Sequence, residues 1–123
     1  MAETAMDSGN HDPNLQGCAA LPADEMAARA AEAALFLKAL GHEGRLMILC
    51  HLSGGERSVT ELEALLGARQ AAVSQQLARL RAEGLVSARR DGKVIHYSIR
   101  DPKAAAIMAL VYDLFCGPES ARP

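Results

Sequence analysis

The sequence predicts a mainly α-helical fold that carries one small β-hairpin, and three neighbouring stretches support this prediction. Residues 58–84 show the pattern of two short helices joined by a turn. Residues 85–101 contain two β-rich runs around Asp91-Gly92, and residues 102–116 form an apolar run that opens with a helix-start signal. Because the chain has 123 residues and 50% of them are apolar, we expect one domain with a modest core that needs no disulfide or metal.

The N-terminal part of the chain is predicted to be a tail followed by a helix. Residues 1–20 mix Gly, Asn, Asp, Pro and Ser without periodicity, which predicts a flexible tail. An Ala-rich helix is expected over residues 22–40, where apolar residues recur at helical spacing before Gly41. The predicted domain spans residues 21–117, and residues 118–123 form a short C-terminal tail.

A second helix is predicted over residues 43–52, before a Ser53-Gly54-Gly55 turn. Its spacing places three side chains on or near the inner face: Leu46, Leu49 and Cys50.

The next two helices form a helix-turn-helix pattern. Ser58 and Glu61 have the spacing of a capping box, and Gly67 is suited to end the first of the two helices. The second helix is expected to begin at about residue 69 or 70 and to end near Gly84. Its N-terminal half carries amides and hydroxyls, which can donate to and accept from base edges in a major groove. We therefore predict that this helix contacts DNA through Gln70, Ala71, Ser74, Gln75, Gln76 and Arg79.

A hairpin with a basic tip follows directly. Asp91-Gly92 between two runs rich in Val, Ile and Tyr predicts a tight type I′ turn. A helix-turn-helix followed by such a hairpin is the winged arrangement, in which the hairpin lies along the phosphates. We expect Arg89, Arg90 and Lys93 to contact the DNA backbone, and we interpret His96 as structural or as a further phosphate contact.

The last helix is predicted to need a partner surface. Asp101-Pro102 provides a cap and a first helical residue, and the following residues are apolar almost all round. The simplest partner is a second copy, with the first and last helices packed about a two-fold axis. A two-fold dimer presents two reading helices about one DNA turn apart, so the double-stranded DNA operator is expected to be an imperfect palindrome.

The charge distribution is compatible with DNA binding although the net charge is −2. Residues 69–103 hold eight Arg or Lys against three Asp or Glu, whereas residues 1–34 hold one Arg against six acids. A basic stripe on an acidic body is expected when only one face meets phosphate. No run approaches the length of a membrane helix and no secretory signal is evident, so a cytoplasmic protein with no membrane partner is expected.

These motifs resemble those of the ArsR/SmtB family of small dimeric winged-helix repressors. The resemblance extends over residues 34–117 and rests on three segments, ALGHEGRLMILCHL, SVTELEALLG and AAVSQQLARLRAEGLVSARRDGKVIHYSI. One departure is Arg69, where the family often has a Ser or Thr cap, and this leaves the start of the second reading helix open.

The chain has three cysteines, Cys18, Cys50 and Cys116, and buried cysteine is common as an ordinary core residue. The pair Cys50 and Cys116 resembles that of the sulfide- and persulfide-responsive branch of the family, typified by the repressors SqrR and BigR. The resemblance implies that reactive sulfur species bridge Cys50 and Cys116 by a disulfide or polysulfide link, and that the operator is then released. Cys18 is expected to be dispensable.

Other functions stay open at this point. A general oxidant sensor would use the same two thiols, and a soft-metal or haem sensor would add a third ligand from Cys18 or a His. The two metal sites that the resemblance would suggest are not expected, because residues 59–66 contain no Cys or His and the last helix has few hard ligands; no metal and no cofactor is predicted. A small thiol oxidoreductase is disfavoured by the lack of a Cys-x-x-Cys pair, so no enzyme is predicted, and a protein-interaction module on the same fold is the remaining alternative.

Overall fold

The computed structural model describes residues 17–117, which form five α-helices and three short strands. A 3-10 turn over Cys18–Ala20 precedes the first helix. The helices are α1 (Ala23–Leu40), α2 (Glu43–Leu52), α3 (Val59–Leu66), α4 (Gln70–Ala82) and α5 (Pro102–Val111). The strands are β1 (Arg57–Ser58), β2 (Val86–Asp91) and β3 (Val94–Ile99). This mainly helical architecture with a β-hairpin confirms the predicted winged helix-turn-helix class.

The described residues fall into two compact units, residues 17–37 and residues 38–117. The first unit consists of the 3-10 turn and most of α1. The second unit contains the end of α1 and all the later elements. The predicted tails, residues 1–20 and 118–123, lie almost wholly outside the described residues, and the single-domain boundaries stay a prediction. None of the helices in residues 17–117 combines the length and apolar character that crossing a bilayer requires.

Helix α3 begins and ends where its local signals place it. The Ser58 hydroxyl accepts from the Glu61 backbone N–H at 3.1 Å, and the Glu61 carboxylate accepts from the Ser58 N–H at 2.8 Å. This reciprocal pair is a capping box. Gly67 follows with φ of 64°, the left-handed conformation that glycine adopts without steric cost.

Helix α4 begins without a side-chain cap. Arg69 occupies the N-cap position and makes no capping hydrogen bond, so the helix starts at Gln70. Its inner side is held by burial of Val73, Leu77 and Leu80, which are at most 1% exposed. Apolar packing therefore compensates for the missing cap in fixing this helix.

The hairpin turn lies one residue further along than predicted. Asp91 pairs with Val94, so Asp91 ends strand β2 and the two-residue turn is Gly92-Lys93. Of these two turn residues, Gly92 has a positive φ of 66° and Lys93 does not. A type I′ turn needs a positive φ at both central residues. The predicted type I′ turn at Asp91-Gly92 is therefore wrong, because a glycine at the first central position allows the type II′ pattern instead.

Strand β1 is an element that the sequence patterns did not predict. Arg57 pairs with Tyr97 and Ser58 with His96, giving a three-stranded antiparallel sheet in the order β1-β3-β2. Two residues are too few for an alternating pattern to be visible in the sequence. The strand attaches the base of the hairpin directly to the start of α3.

The core of the second unit is shared by parts of all five helices and the hairpin. Its largest fully buried side chains come from α2, α3, α4 and the start of the hairpin: Ile48, Leu49, Leu62, Val73, Leu77, Leu80, Leu85 and Val86. On α2, the prediction for Leu49 is confirmed, whereas Leu46 is half-buried and Cys50 is exposed. Ile48 and Leu52 take the inner positions instead, because they flank Leu49 on the face that meets the core.

The last helix changes its winding before it ends. The Asp101 carboxylate accepts from the Lys103 N–H at 2.8 Å, and Pro102 is the first helical residue, as predicted. The α-helix ends at Val111 and continues as a π-helical segment over Tyr112–Cys116. Such segments occur often at functional sites. Here the segment sets the orientation of Cys116.

Candidate nucleic-acid interface and thiol pair

Helix α4 presents most of its predicted contact residues to solvent. The exposed residues are Gln70, Ala71, Ser74, Gln75 and Arg79, and they lie opposite the buried stripe that holds the helix to the core. The spacing of Ala71, Ser74, Gln75 and Arg79 places them along one side of the helix. This side offers hydroxyl and amide groups near its N-terminal end and a guanidinium near its C-terminal end.

Gln76 differs from its neighbours because it is half-buried and engaged within the chain. Its Oε1 accepts from Nη1 of Arg45 at 3.2 Å. The Arg45 guanidinium also donates from Nε to the Ala39 carbonyl at 2.6 Å and from Nη2 to the Lys38 carbonyl at 3.4 Å. A DNA contact by Gln76 stays a prediction, and the structure gives this residue a direct link from α4 to α2.

Arg79 carries an ion pair on the surface of α4. Its Nε lies 3.2 Å from Oε2 of Glu83, one helical turn later, and both side chains are well exposed. Exposed pairs of this kind are weak and are readily exchanged for another anion. The pair therefore leaves Arg79 able to meet a phosphate.

The hairpin carries its three basic residues in two different environments. Arg90 and Lys93 are exposed at its tip, and among residues 17–117 neither has a carboxylate partner. Arg89 instead forms two hydrogen bonds with the Glu56 carboxylate, at 3.0 Å from Nε and 2.8 Å from Nη2. The pKa of Glu56 is lowered chiefly by the Arg89 hydrogen bonds, with a smaller effect of the His96 charge. Glu56 is a partner of the candidate interface residue Arg89, and sequence analysis did not identify it.

The second unit carries two cysteines. Both Cys50, in the last turns of α2, and Cys116, at the end of the π-helical segment, are exposed free thiols. The pKa of the Cys50 thiol is raised above its ordinary value, first by desolvation and second by electrostatic repulsion from Cys116. Cys50 and Cys116 are far apart in the sequence, and their joint role as a sensor stays a prediction. Cys18 lies in the 3-10 turn.

Gly117 follows Cys116 at a position that has no room for a side chain. A Cβ at this buried glycine would lie 2.8 Å from the carbonyl oxygen of Asp113, which is closer than a real Cβ approaches. On α2, the Ser53 hydroxyl donates to the Cys50 carbonyl at 2.6 Å.

The electrostatic effect of Cys116 on Cys50 leads to a prediction for the pKa of Cys50 in a Cys116→Ser variant. Replacing Cys116 with serine removes one of the two causes that raise the pKa of Cys50, so we expect this thiol to ionise at lower pH than in the unsubstituted protein. Desolvation persists, so its pKa should stay above the ordinary value. The measurement is the rate of Cys50 alkylation by iodoacetamide across pH 7–10, followed by peptide mass spectrometry.

The matched control for this titration is Ser53→Ala, which changes a neighbour of Cys50 without removing a thiol. This variant should titrate at Cys50 like the unsubstituted protein. An unchanged Cys50 titration in the Cys116→Ser variant would show that the two sulfur atoms lie too far apart to interact.

A cleft of about 540 Å³ lies beside these sites, between the end of α2, strand β3 and the last helix. Its wall is mainly apolar, with the carboxyl groups of Glu56 and Asp113 and the hydroxyls of Ser53 and Ser98. None of the residues predicted to contact DNA or sulfur lines it. Within residues 17–117, no group of three or more His, Cys, Asp or Glu is placed to hold a metal ion.

Comparison with known proteins finds one matching family model and relatives that cover most of the chain. A model of the arsR family of bacterial regulatory proteins matches residues 42–88. The biofilm growth-associated repressor of Agrobacterium fabrum is 48% identical over 99 residues, which are 80% of this chain and 85% of that protein. The transcriptional activator HlyU of Vibrio cholerae is 39% identical over 104 residues, covering 85% of this chain and 95% of HlyU.

Solved structures of similar proteins have the same fold. The transcriptional repressor BigR from Xylella fastidiosa superimposes with a TM-score of 0.72 at 42% identity, over 82% of this chain and all of that one. Reduced HlyU from Vibrio cholerae gives a TM-score of 0.73 at 40% identity, over 75% of this chain and 97% of that one. The described elements therefore match complete relatives, not an isolated motif.

Proposed function

We propose that this chain, which belongs to the ArsR family of bacterial regulatory proteins, is a dimeric repressor that reactive sulfur releases from its operator. Members of this family are DNA-binding transcription regulators and not enzymes. The sensor in this proposal is the pair Cys50 and Cys116. The observation that supports it is that both thiols are free and exposed, and that the ends of the two elements that carry them, through Ser53 and Asp113, line one cleft. Among similar proteins, the biofilm growth-associated repressor of Agrobacterium fabrum supports the assignment as a repressor.

The sensing reaction proceeds in two steps that need no further oxidant. A cysteine thiolate attacks the sulfane sulfur of a persulfide, forms a new S–S bond and displaces the thiolate of the donor. The second cysteine thiolate then attacks the protein persulfide at the sulfur bonded to carbon, which gives a Cys50–Cys116 disulfide and HS⁻. A tetrasulfide link forms when two donor persulfides have each given one sulfur to one of the cysteines and a third donor persulfide takes up the two electrons, so that it is reduced to thiol and hydrogen sulfide.

The position of Cys50 offers a route from this bridge to the DNA. Cys50 belongs to α2, whose Ile48, Leu49 and Leu52 are buried in the core. The same helix donates from Arg45 to Gln76 on α4. A bridge restrains α2 against the end of the last helix, so the orientation of α4 changes with it, and a ligand of this kind biases one of two DNA-binding states.

In this proposal, α4 and the hairpin contact the operator DNA. Two copies of the chain bind each palindromic operator. Direct base contact is expected from the exposed amides and hydroxyls, and phosphate contact from the cations of the hairpin. The two halves of the operator are then related by the two-fold axis of the dimer.

We expect Gln75→Ala and Arg90→Ala to have different effects on DNA binding. Gln75 is an exposed amide on α4, so its loss should weaken operator binding by about five- to a hundredfold and leave random DNA within about twofold. Arg90→Ala should weaken binding to both DNAs and reduce the slope of log affinity against log salt by about one. Fluorescence anisotropy on an operator selected from random-sequence DNA measures both effects.

Arg29→Ala is the control for this pair, because it removes a cation whose partner, Glu32, also lies on α1. It should change neither affinity by more than about twofold. Equal losses for both DNAs in the Gln75 variant would remove this residue from base reading.

The test of the sensor is the intact mass of the reduced protein before and after sodium tetrasulfide, with hydrogen peroxide in parallel. We expect a species in which digestion locates one link between Cys50 and Cys116, together with loss of operator binding. The same disulfide formed equally fast by peroxide would make the protein a general oxidant sensor. No modification at either cysteine would return both to a structural role and favour a metal- or haem-responsive regulator.

A further inference from the structure

The pairing of Arg89 with Glu56 joins the hairpin to the loop between α2 and β1. Two parallel hydrogen bonds, at 3.0 and 2.8 Å, connect the guanidinium to both carboxylate oxygens. Glu56 directly precedes strand β1, which pairs with β3 of the hairpin. The partners are therefore brought together by the sheet and not by proximity in the sequence.

Both groups are charged and both remain within reach of solvent. The pKa of Arg89 is raised, first by its hydrogen bonds to Glu56, and that of Glu56 is lowered by the same contact. The exposed fractions of the side chains are 55% for Arg89 and 36% for Glu56. An ion pair this exposed is easily replaced, because water and salt screen it.

The carboxylate occupies the part of Arg89 that a phosphate would use. A guanidinium binds an oxyanion best through two parallel N–H groups, and a phosphate and a carboxylate present the same pair of oxygen atoms to that fork. Glu56 holds Nε and Nη2 of Arg89, whereas Arg90 and Lys93 at the tip have no such partner among residues 17–117.

We propose that Glu56 is a specificity-determining residue that competes with the DNA backbone for Arg89. In the free protein it neutralises one cation of the hairpin, so that DNA of any sequence meets two available charges per copy instead of three. On an operator, where base contacts hold the hairpin close to the backbone, a phosphate displaces Glu56. The carboxylate thus lowers affinity for random DNA more than for the operator. This inference rests on the proposed contact between the hairpin and phosphate, and it is independent of the cysteine chemistry.

The test is the salt dependence of DNA binding by Glu56→Gln, measured by fluorescence anisotropy on a random-sequence duplex and on the operator. We expect the affinity for random DNA to rise by about three- to tenfold at low salt, and the slope of log affinity against log salt to steepen by about one per copy. The affinity for the operator should rise less, so the ratio of operator to random affinity should fall.

Two further variants keep the test decisive. Glu32→Gln removes the same charge from α1, where it pairs with Arg29, and should leave both affinities within about twofold. Glu56→Gln in an Arg89→Ala background should add no change of slope, because the competed group is absent. Thermal unfolding of each variant establishes that it is folded.

An unchanged or weaker affinity of Glu56→Gln for random DNA would overturn the proposal and make Glu56 a residue that positions Arg89. A change in slope that persists in the Arg89→Ala background would overturn it as well. If Arg90→Ala itself leaves the salt slope unchanged, the proposed contact of the hairpin with phosphate fails, and that failure is distinguishable from a failure at Glu56.

Discussion

Replacing either Cys50 or Cys116 with serine is expected to leave operator binding within about twofold and to abolish release by reactive sulfur. Both side chains are exposed, so serine creates no cavity and buries no unsatisfied polar group. A single remaining thiol can accept sulfur but cannot close a bridge between α2 and the last helix. In the unsubstituted protein, sodium tetrasulfide should lower operator affinity by about ten- to a hundredfold, which is the usual range of allosteric coupling.

Operator affinity measured by anisotropy, before and after the same dose of tetrasulfide, decides this prediction. Cys18→Ser is the matched control, since it removes a thiol outside the pair and should respond like the unsubstituted protein. Full release in either of the Cys50 or Cys116 variants would contradict the bridging model. Partial release would show that persulfidation of one thiol already biases the two states.

The parts of the fold that were predictable from sequence are those specified by local signals. The capping box of Ser58 and Glu61 and the left-handed Gly67 each act within one helical turn, so α3 was located to within a residue. The same holds for Asp101-Pro102 at the start of α5. The sequence also predicts the hairpin, but it does not fix the turn to the exact residue, because either Asp91 or Gly92 can occupy the first central position.

Contacts between distant parts of the chain were not predictable in this way. Strand β1, the pairing of Glu56 with Arg89 and the hydrogen bond from Arg45 to Gln76 all depend on the tertiary arrangement. No periodicity or spacing marks these residues as partners. The helical spacing could place Gln76 on α4, but only packing against α2 decides that its amide faces Arg45 and not solvent.

The candidate interface shows how this limit affects functional prediction. Residue types on α4 indicated a surface for base contact, and five of its six predicted contact residues are exposed in the structure. The charge count of the hairpin suggested three equivalent cations, whereas one is paired with Glu56. A charge count gives the number of cations. The free energy of phosphate contact also depends on the ion pairs and the hydration that each cation must give up to make that contact.

The apolar surface of the last helix supports the largest predicted effect on assembly. Its C-terminal part exposes four large side chains in the single chain, between 51% and 73%: Leu110, Tyr112, Leu114 and Phe115. A run of exposed apolar residues on so small a protein is typical of an interface. ArsR-family regulators typically act as dimers, and we propose that this surface lies at the two-fold axis.

Leu110→Glu is therefore expected to dissociate the dimer and, as a consequence, to abolish specific operator binding. An unpaired charge buried in an interface costs about 3–5 kcal/mol, and each 1.4 kcal/mol is a factor of ten in affinity. The dimer dissociation constant should rise by more than about a hundredfold, since the axis brings two substituted residues into one interface. A monomer presents one reading helix to a two-part operator, so its affinity should fall toward that for random DNA.

Sedimentation equilibrium measures the assembly, and Leu65→Glu is the matched control because Leu65 is a similarly exposed leucine, 46%, on α3. That control should remain dimeric, and a Leu110→Glu protein that also remains dimeric would move the two-fold axis away from the last helix.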